Sequence, residues 1–232
     1  MRSFIAATTI VLCSFASSAN AQEMTAADAL AHGNRIAGQG QYETALSIYK
    51  VALPTSGDLQ PVIEYNIGVC DYHLGRLNEA VPAYKAAIAL RGGRYQRALY
   101  ALGVALSDLG DVQGAKVAFA HAFRLSHNRD GEAAFDLGLI LARDGEYDAA
   151  TSCFRQAIAR RTQSLSAAHN NLGVMLALAG RWEQAALEFD NASRISRGSS
   201  VEVEHNLHLC RACLAGGVKA DRDSWRLMNS LD

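Results

Sequence analysis

Leu172-Gly173-Val174-Met175-Leu176-Ala177-Leu178-Ala179-Gly180-Arg181-Trp182-Glu183-Gln184-Ala185-Ala186-Leu187-Glu188-Phe189-Asp190-Asn191-Ala192 reads as two short helices joined at a glycine. Gly173 lies inside an apolar-periodic run, where glycine costs roughly 0.5–1 kcal/mol relative to alanine. That cost is offset only if a neighbouring helix needs the space. Gly180 ends the run, as a left-handed C-terminal residue would. A second helix starts two or three residues on. Its Ala185 and Ala192, with Phe189 between them, place small and large side chains on one face. The small residues bring the two helices together, and the ring is expected to fill the space between such pairs.

The same pattern recurs upstream at intervals of 35 residues. The first glycine recurs at Gly33, Gly68, Gly103 and Gly138, and the second at Gly40, Gly75, Gly110 and Gly145. The alanines recur at Ala45, Ala80, Ala115 and Ala150, then at Ala52, Ala87, Ala122 and Ala157. The ring column reads Tyr49, Tyr84, Phe119 and Phe154 before Phe189. One helical hairpin cannot bury its apolar face alone, but a stack of them can.

Downstream, Val201 to Leu214 continues the register as one more first helix, and Gly216-Gly217 ends it. The tail from Asp221 carries Trp225, Leu227, Met228 and Leu231 and is expected to cap the last apolar edge. Pro82 is expected in the first turn of its helix, where proline is tolerated. At the other end, Arg2, the apolar stretch Phe4 to Ala16 and the small residues ending Ala19-Asn20-Ala21 form a secretory leader. Residues 1–21 are expected to be removed, leaving residues 22–25 as a stub before the array. The stretch is too short for a bilayer span, which argues against an uncleaved anchor. Leu12 before Cys13 is bulky where a lipoprotein leader carries a small residue. The mature chain is therefore expected to be exported, periplasmic or secreted, with no membrane span.

Composition agrees with a helical soluble array. Half of the 232 residues are apolar and only three are proline. The formal charge is −1, and removing the leader deletes only Arg2. A near-neutral chain lacks the basic footprint of a nucleic-acid binder.

The glycine, alanine and ring columns resemble the tetratricopeptide repeat family over about residues 26–199. The fifth unit carries that pattern as Leu172-Gly173, Gly180, Trp182, Ala185, Phe189 and Ala192. Two departures stand out. The proline usual between repeats is absent, with Gly92-Gly93 in its place once, and His32 stands where an apolar residue is expected. The resemblance implies an all-α, right-handed solenoid of five helix-turn-helix repeats at 26–60, 61–95, 96–130, 131–165 and 166–199. Capping helices at 200–232 would form a partial sixth repeat.

The resemblance also implies a function. In such proteins the first helix of each repeat lines a concave groove that takes a protein or peptide segment. The matching positions here give the contact set Tyr65, Val69, Tyr72, Tyr100, Val104, Phe135, Leu139, Asn170 and Val174. Asn66, Asn171 and Asn206, one place beyond the ring positions, could bond an extended peptide backbone. The rival reading packs these rings within the array. The carboxylate clamp of chaperone-binding relatives is not supported, because Leu30 and Tyr65 stand where its first lysine could fall. Arginines gather where the second helices end, at Arg91, Arg94, Arg124, Arg129, Arg160, Arg161, Arg194 and Arg197. They either complement helix dipoles or contact an acidic partner. Similar bacterial proteins serve in pilus assembly, outer-membrane assembly and polysaccharide export, so a scaffold role in an envelope or pilus complex is expected. Self-assembly of the array is an alternative.

No catalytic motif appears, and no enzyme, metal or cofactor is expected. Gly110 to Lys116 lacks the spacing of a phosphate loop and falls at a repeat turn. Cys70 and Cys210 occupy the same inward repeat position and are expected to pack as small buried residues. Cys210 and Cys213, three apart on one helix, are too widely spaced for an unstrained disulfide. With His205 and His208 they spread around the helix instead of facing one ion. A redox or metal module on this helix is the remaining alternative.

Overall fold

The computed structural model describes residues 24–229; the expected leader at residues 1–21 and Leu231 of the tail lie outside them. The described residues form eleven α-helices and no strand. Five hairpins follow one another: α1 (Ala26–Ala37) with α2 (Tyr42–Ala52), α3 (Gln60–His73) with α4 (Leu77–Leu90), and α5 (Gln96–Asp108) with α6 (Val112–Leu125). Then come α7 (Gly131–Arg143) with α8 (Tyr147–Ala159) and α9 (Leu165–Leu178) with α10 (Trp182–Ser196). The last helix, α11 (Val201–Leu214), repeats the first-helix position without a mate. Each helix packs on its hairpin partner and on the next helix in the chain. Among the described residues no helix is long and apolar enough to cross a membrane.

The glycine column has a steric cause. A Cβ on Gly173 would sit 2.7 Å from Phe189 Cε1, and Gly68, Gly103 and Gly138 face Tyr84, Phe119 and Phe154 in the same way. Each ring therefore lies on the glycine of its own hairpin. This corrects the expectation that the rings fill space between hairpins. The ten alanines of the two alanine columns are all buried beside them. Each buried ring contributes about 1.5–3 kcal/mol of transfer free energy.

The turns follow from the second glycine column. Gly75 has φ +73°; its N–H donates to Tyr72 O at 2.9 Å and that of Arg76 to Asp71 O at 2.8 Å. This paired closure satisfies the carbonyls of Asp71 and Tyr72 at the helix end, and a residue with a Cβ would be strained at Gly75 by about 1–2 kcal/mol. Between hairpins the chain turns through left-handed Gly92 and Gly93. Further on it uses His127 with Asn128, Arg161, and Arg197 with Gly198. Left-handed residues do there what a proline does in the usual pattern.

Several helix starts carry the side chains that capping requires. Thr25, Asp111, Asp130 and Ser200 each accept a backbone N–H from the first turn of the helix they precede. Pro82 departs from expectation. α4 begins at Leu77, so the proline is its sixth residue, in the second turn, and the helix runs through it.

Candidate partner-binding face

The first helices present their fifth, sixth and ninth positions on one face, and that face is divided. Over α3 and α5 it is open. Tyr65, Val69, Tyr72, Tyr100 and Val104 line a groove of about 360 Å³, with His73, Tyr84, Gln96, Arg97, Ala101, Asp130 and Glu132 completing it. All five sequence-predicted residues of this part are thus brought together and half-buried.

Ring packing sets the floor. Tyr65 tilts against Tyr84 with centroids 5.9 Å apart, and Tyr100 against Phe119 at 5.6 Å. The tyrosine hydroxyls reach to the next hairpin: Tyr72 donates to Asp108 Oδ2 at 2.7 Å and Tyr100 to Asp136 Oδ2 at 3.0 Å. Burial, then the Asp108 carboxylate, pushes the Tyr72 phenol up to about 12. Burial also pushes the Asp136 carboxyl up to about 6; the Tyr100 hydrogen bond opposes this and Glu132 and Asp130 add to it. Sequence reading missed Asp136. Its signal is a tyrosine-to-aspartate spacing of one repeat plus one residue, seen twice.

The other four predicted residues are covered. Phe135 is fully buried, tilted against Phe154 at 5.9 Å, and Leu139, one turn further along α7, is buried too. Neither lines an open surface, which corrects the expectation for both: the ring continues the hairpin packing of Tyr65 and Tyr100 one layer deeper. Asn170 and Val174 are buried as well. Over α9 and α11 the chain's own C-terminal tail lies on the face.

That tail is anchored at several points. Asp221 closes a 3-10 turn at Arg222–Ser224. Arg222 donates to Arg143 O at 2.9 Å, at the end of α7, and its guanidinium lies 6.0 Å from the Tyr147 ring. His205 Nε2 donates to Ser224 O at 3.0 Å. Beyond the turn the backbone is read by side-chain amides. Asn206 donates to Arg226 O at 2.8 Å and accepts from Arg226 N at 3.0 Å. Asn171 makes the same pair with Met228, both at 2.8 Å. Asn170 adds a bond to Arg226 O at 2.9 Å. Asn171 and Asn206, expected to bond the extended backbone of a partner peptide, are thus engaged with the backbone of the chain's own tail. Asn66 instead donates to Asn34 Oδ1 at 2.8 Å. Trp225 and Met228 are buried as expected of a cap, but they cover the first-helix face.

The family model described as tetratricopeptide repeat matches residues 71–124, 100–164 and 135–200. The chain belongs to the tetratricopeptide repeat family. A search among curated proteins found no match. Solved structures do match. YrrB, described as a TPR protein with an unusual peptide-binding site, is 25% identical with a TM-score of 0.64, covering 80% of this chain and 91% of its own. MamA from Desulfovibrio magneticus RS-1 is 20% identical, TM-score 0.64, covering 75% and 97%. A tetratricopeptide repeat protein from Parabacteroides merdae is 16% identical, TM-score 0.63, covering 83% and 74%. The last two show the shared fold.

Within this tetratricopeptide array the cysteines are placed for packing. Cys70, Cys153 and Cys210 are buried free thiols, and burial pushes each up to about 11. Cys210 Sγ donates to Trp182 O at 3.4 Å. A thiol raised this far lacks the thiolate character that disulfide exchange requires. Among the described residues no group of three or more His, Cys, Asp or Glu side chains is arranged to hold a metal ion.

Proposed function

We propose that this tetratricopeptide repeat protein is an exported, non-enzymatic scaffold that docks a segment of a partner protein in the tyrosine groove over α3 and α5. The observation that carries this reading is the groove itself: an apolar wall of three half-buried tyrosines and two half-buried valines, open to solvent, beside a stretch of the same face that is already filled. Contiguous exposed apolar surface marks interaction sites. The rim adds a charge preference. Asp130 and Glu132 line the groove, and Asp108 and Asp136 stand behind its tyrosines, against the single guanidinium of Arg97. A segment with apolar residues and a lysine or arginine over the rings fits this chemistry. The description of YrrB as peptide-binding supports the same direction. The leader-like sequence at residues 1–21 supports a role in the cell envelope, in assembly or secretion of an envelope or pilus complex.

Site-specific photocrosslinking tests the reading in the native host. A photoreactive residue at Val69, in the groove, is expected to give one discrete adduct. The same residue at Val117, exposed on α6, is expected to give none. Equal adducts from both positions, or none from Val69, would remove the groove from the account. The mature chain recovered from these cells is expected to begin at Gln22; a cytoplasmic chain retaining Met1 would refute export.

A further inference from the structure

The fifth hairpin breaks the ring pattern of its neighbours in one place. In the second, third and fourth hairpins a ring on the first helix tilts against the ring of the second: Tyr65 on Tyr84, Tyr100 on Phe119, Phe135 on Phe154. The fifth has Asn170 at that position, which leaves Phe189 without a partner ring from its own hairpin. Trp225 of the tail takes the vacancy, parallel to Phe189 at 5.9 Å and 7°, and it also stacks on Trp182 at 6.1 Å. The substitution of asparagine for a ring thus creates a slot of indole size, and the slot is filled from outside the repeat.

The amides beside the slot are bonded to one another as well as to the tail. Asn206 Nδ2 donates to Asn170 Oδ1 at 2.9 Å, and Asn170 Nδ2 donates to Asn171 Oδ1 at 3.2 Å. This row of three buried side chains aims one donor–acceptor pair from Asn206 and one from Asn171 at the tail. Each pair satisfies both the N–H and the C=O of one residue, Arg226 or Met228, as a neighbouring β-strand would. Residues two apart are read on the same side, so the ligand backbone is extended. Backbone atoms carry no sequence information. Selectivity comes from the two side chains that are buried, Trp225 and Met228.

We propose that this arrangement is a second peptide-binding site, separate from the tyrosine groove. Its ligand class is an extended segment with a ring at one position and a long unbranched or γ-branched apolar residue three positions later. Residues 225–228 are its resident ligand, and a partner segment of that pattern displaces them. The hinge for displacement is Gly216–Lys219, exposed throughout and joined to α11 through left-handed Gly216. A tail tethered this closely competes at an effective concentration of about 1 mM, so a displacing partner must carry a better-fitting version of the same segment.

The test keeps the whole chain. Gly216–Lys219 is replaced by a specific protease site, the protein is folded, and the site is then cut. A fluorescein-labelled synthetic peptide of residues 220–232 is added, and binding is followed by anisotropy. The peptide is expected to bind the cut chain and to bind the uncut chain about 100-fold more weakly, since the tethered tail competes. A peptide with W225A is expected to bind at least about tenfold more weakly. A cut chain with N206A should bind the parent peptide several-fold more weakly, and one with V117S should match the parent. Three results would overturn the proposal: a cut chain that loses its helical circular dichroism, a cut tail that never exchanges with peptide, or peptide binding that ignores W225A and N206A. The first two make the tail a permanent part of the fold, and the third places binding elsewhere.

Discussion

At the residue scale, the small-against-large interlock was legible because it repeats. Gly173 and Phe189 lie in columns that the period picks out, but that each ring lies on the glycine of its own hairpin became clear only in the folded chain, because spacing alone does not say which hairpin a ring packs into. Asp136 was not legible. Its role depends on burial and on Tyr100, one repeat and one residue away, and nothing local marks it. That residue supports a pH prediction. Burial holds its carboxyl near 6, above the ordinary carboxylate value, so folding favours the protonated form. The stabilisation is fully present below about pH 4 and is lost as the pH rises through about 6. Asp136→Asn imitates the neutral acid and still accepts from the Tyr100 hydroxyl. It is expected to stabilise the protein at pH 7.5 by on the order of 2–3 kcal/mol and to change little at about pH 3.5, below the unfolded-state value. Urea denaturation at both pH values checks this; an equal effect at both would show that Asp136 does not titrate as described.

At the element scale, the helices and their turns follow from the glycine columns and from caps such as Asp111 and Ser200. Pro82 did not fall in the first turn, because the turn at Gly75 starts α4 at Leu77. A proline inside a helix leaves the carbonyl of residue i−4, here Asn78, without its usual partner. Pro82 is exposed, so no packing opposes its replacement. Pro82→Ala is expected to raise the urea midpoint, with a gain of about 1–3 kcal/mol. An unchanged or lower midpoint would mean that the proline's restraint on the unfolded chain outweighs the lost bond.

At the scale of the whole molecule, the stacking of five hairpins was legible from the period alone, while the division of the binding face was not. Asn171 and Met228 lie 57 residues apart, outside any repeat relation. The tail's apolar residues announced a cap, but only the docked backbone shows that they occupy half of the face and leave the tyrosine groove as the open half. Amide hydrogen exchange on the full chain, resolved residue by residue, tests this division most directly. The N–H groups of Arg226 and Met228 donate to buried amides of Asn206 and Asn171, and the account predicts protection comparable to the interior of α9, with Leu227 between them exchanging faster. Uniformly fast exchange from Trp225 to Met228 would mean that the tail does not lie on the face, and the division between an occupied and an open half would be wrong.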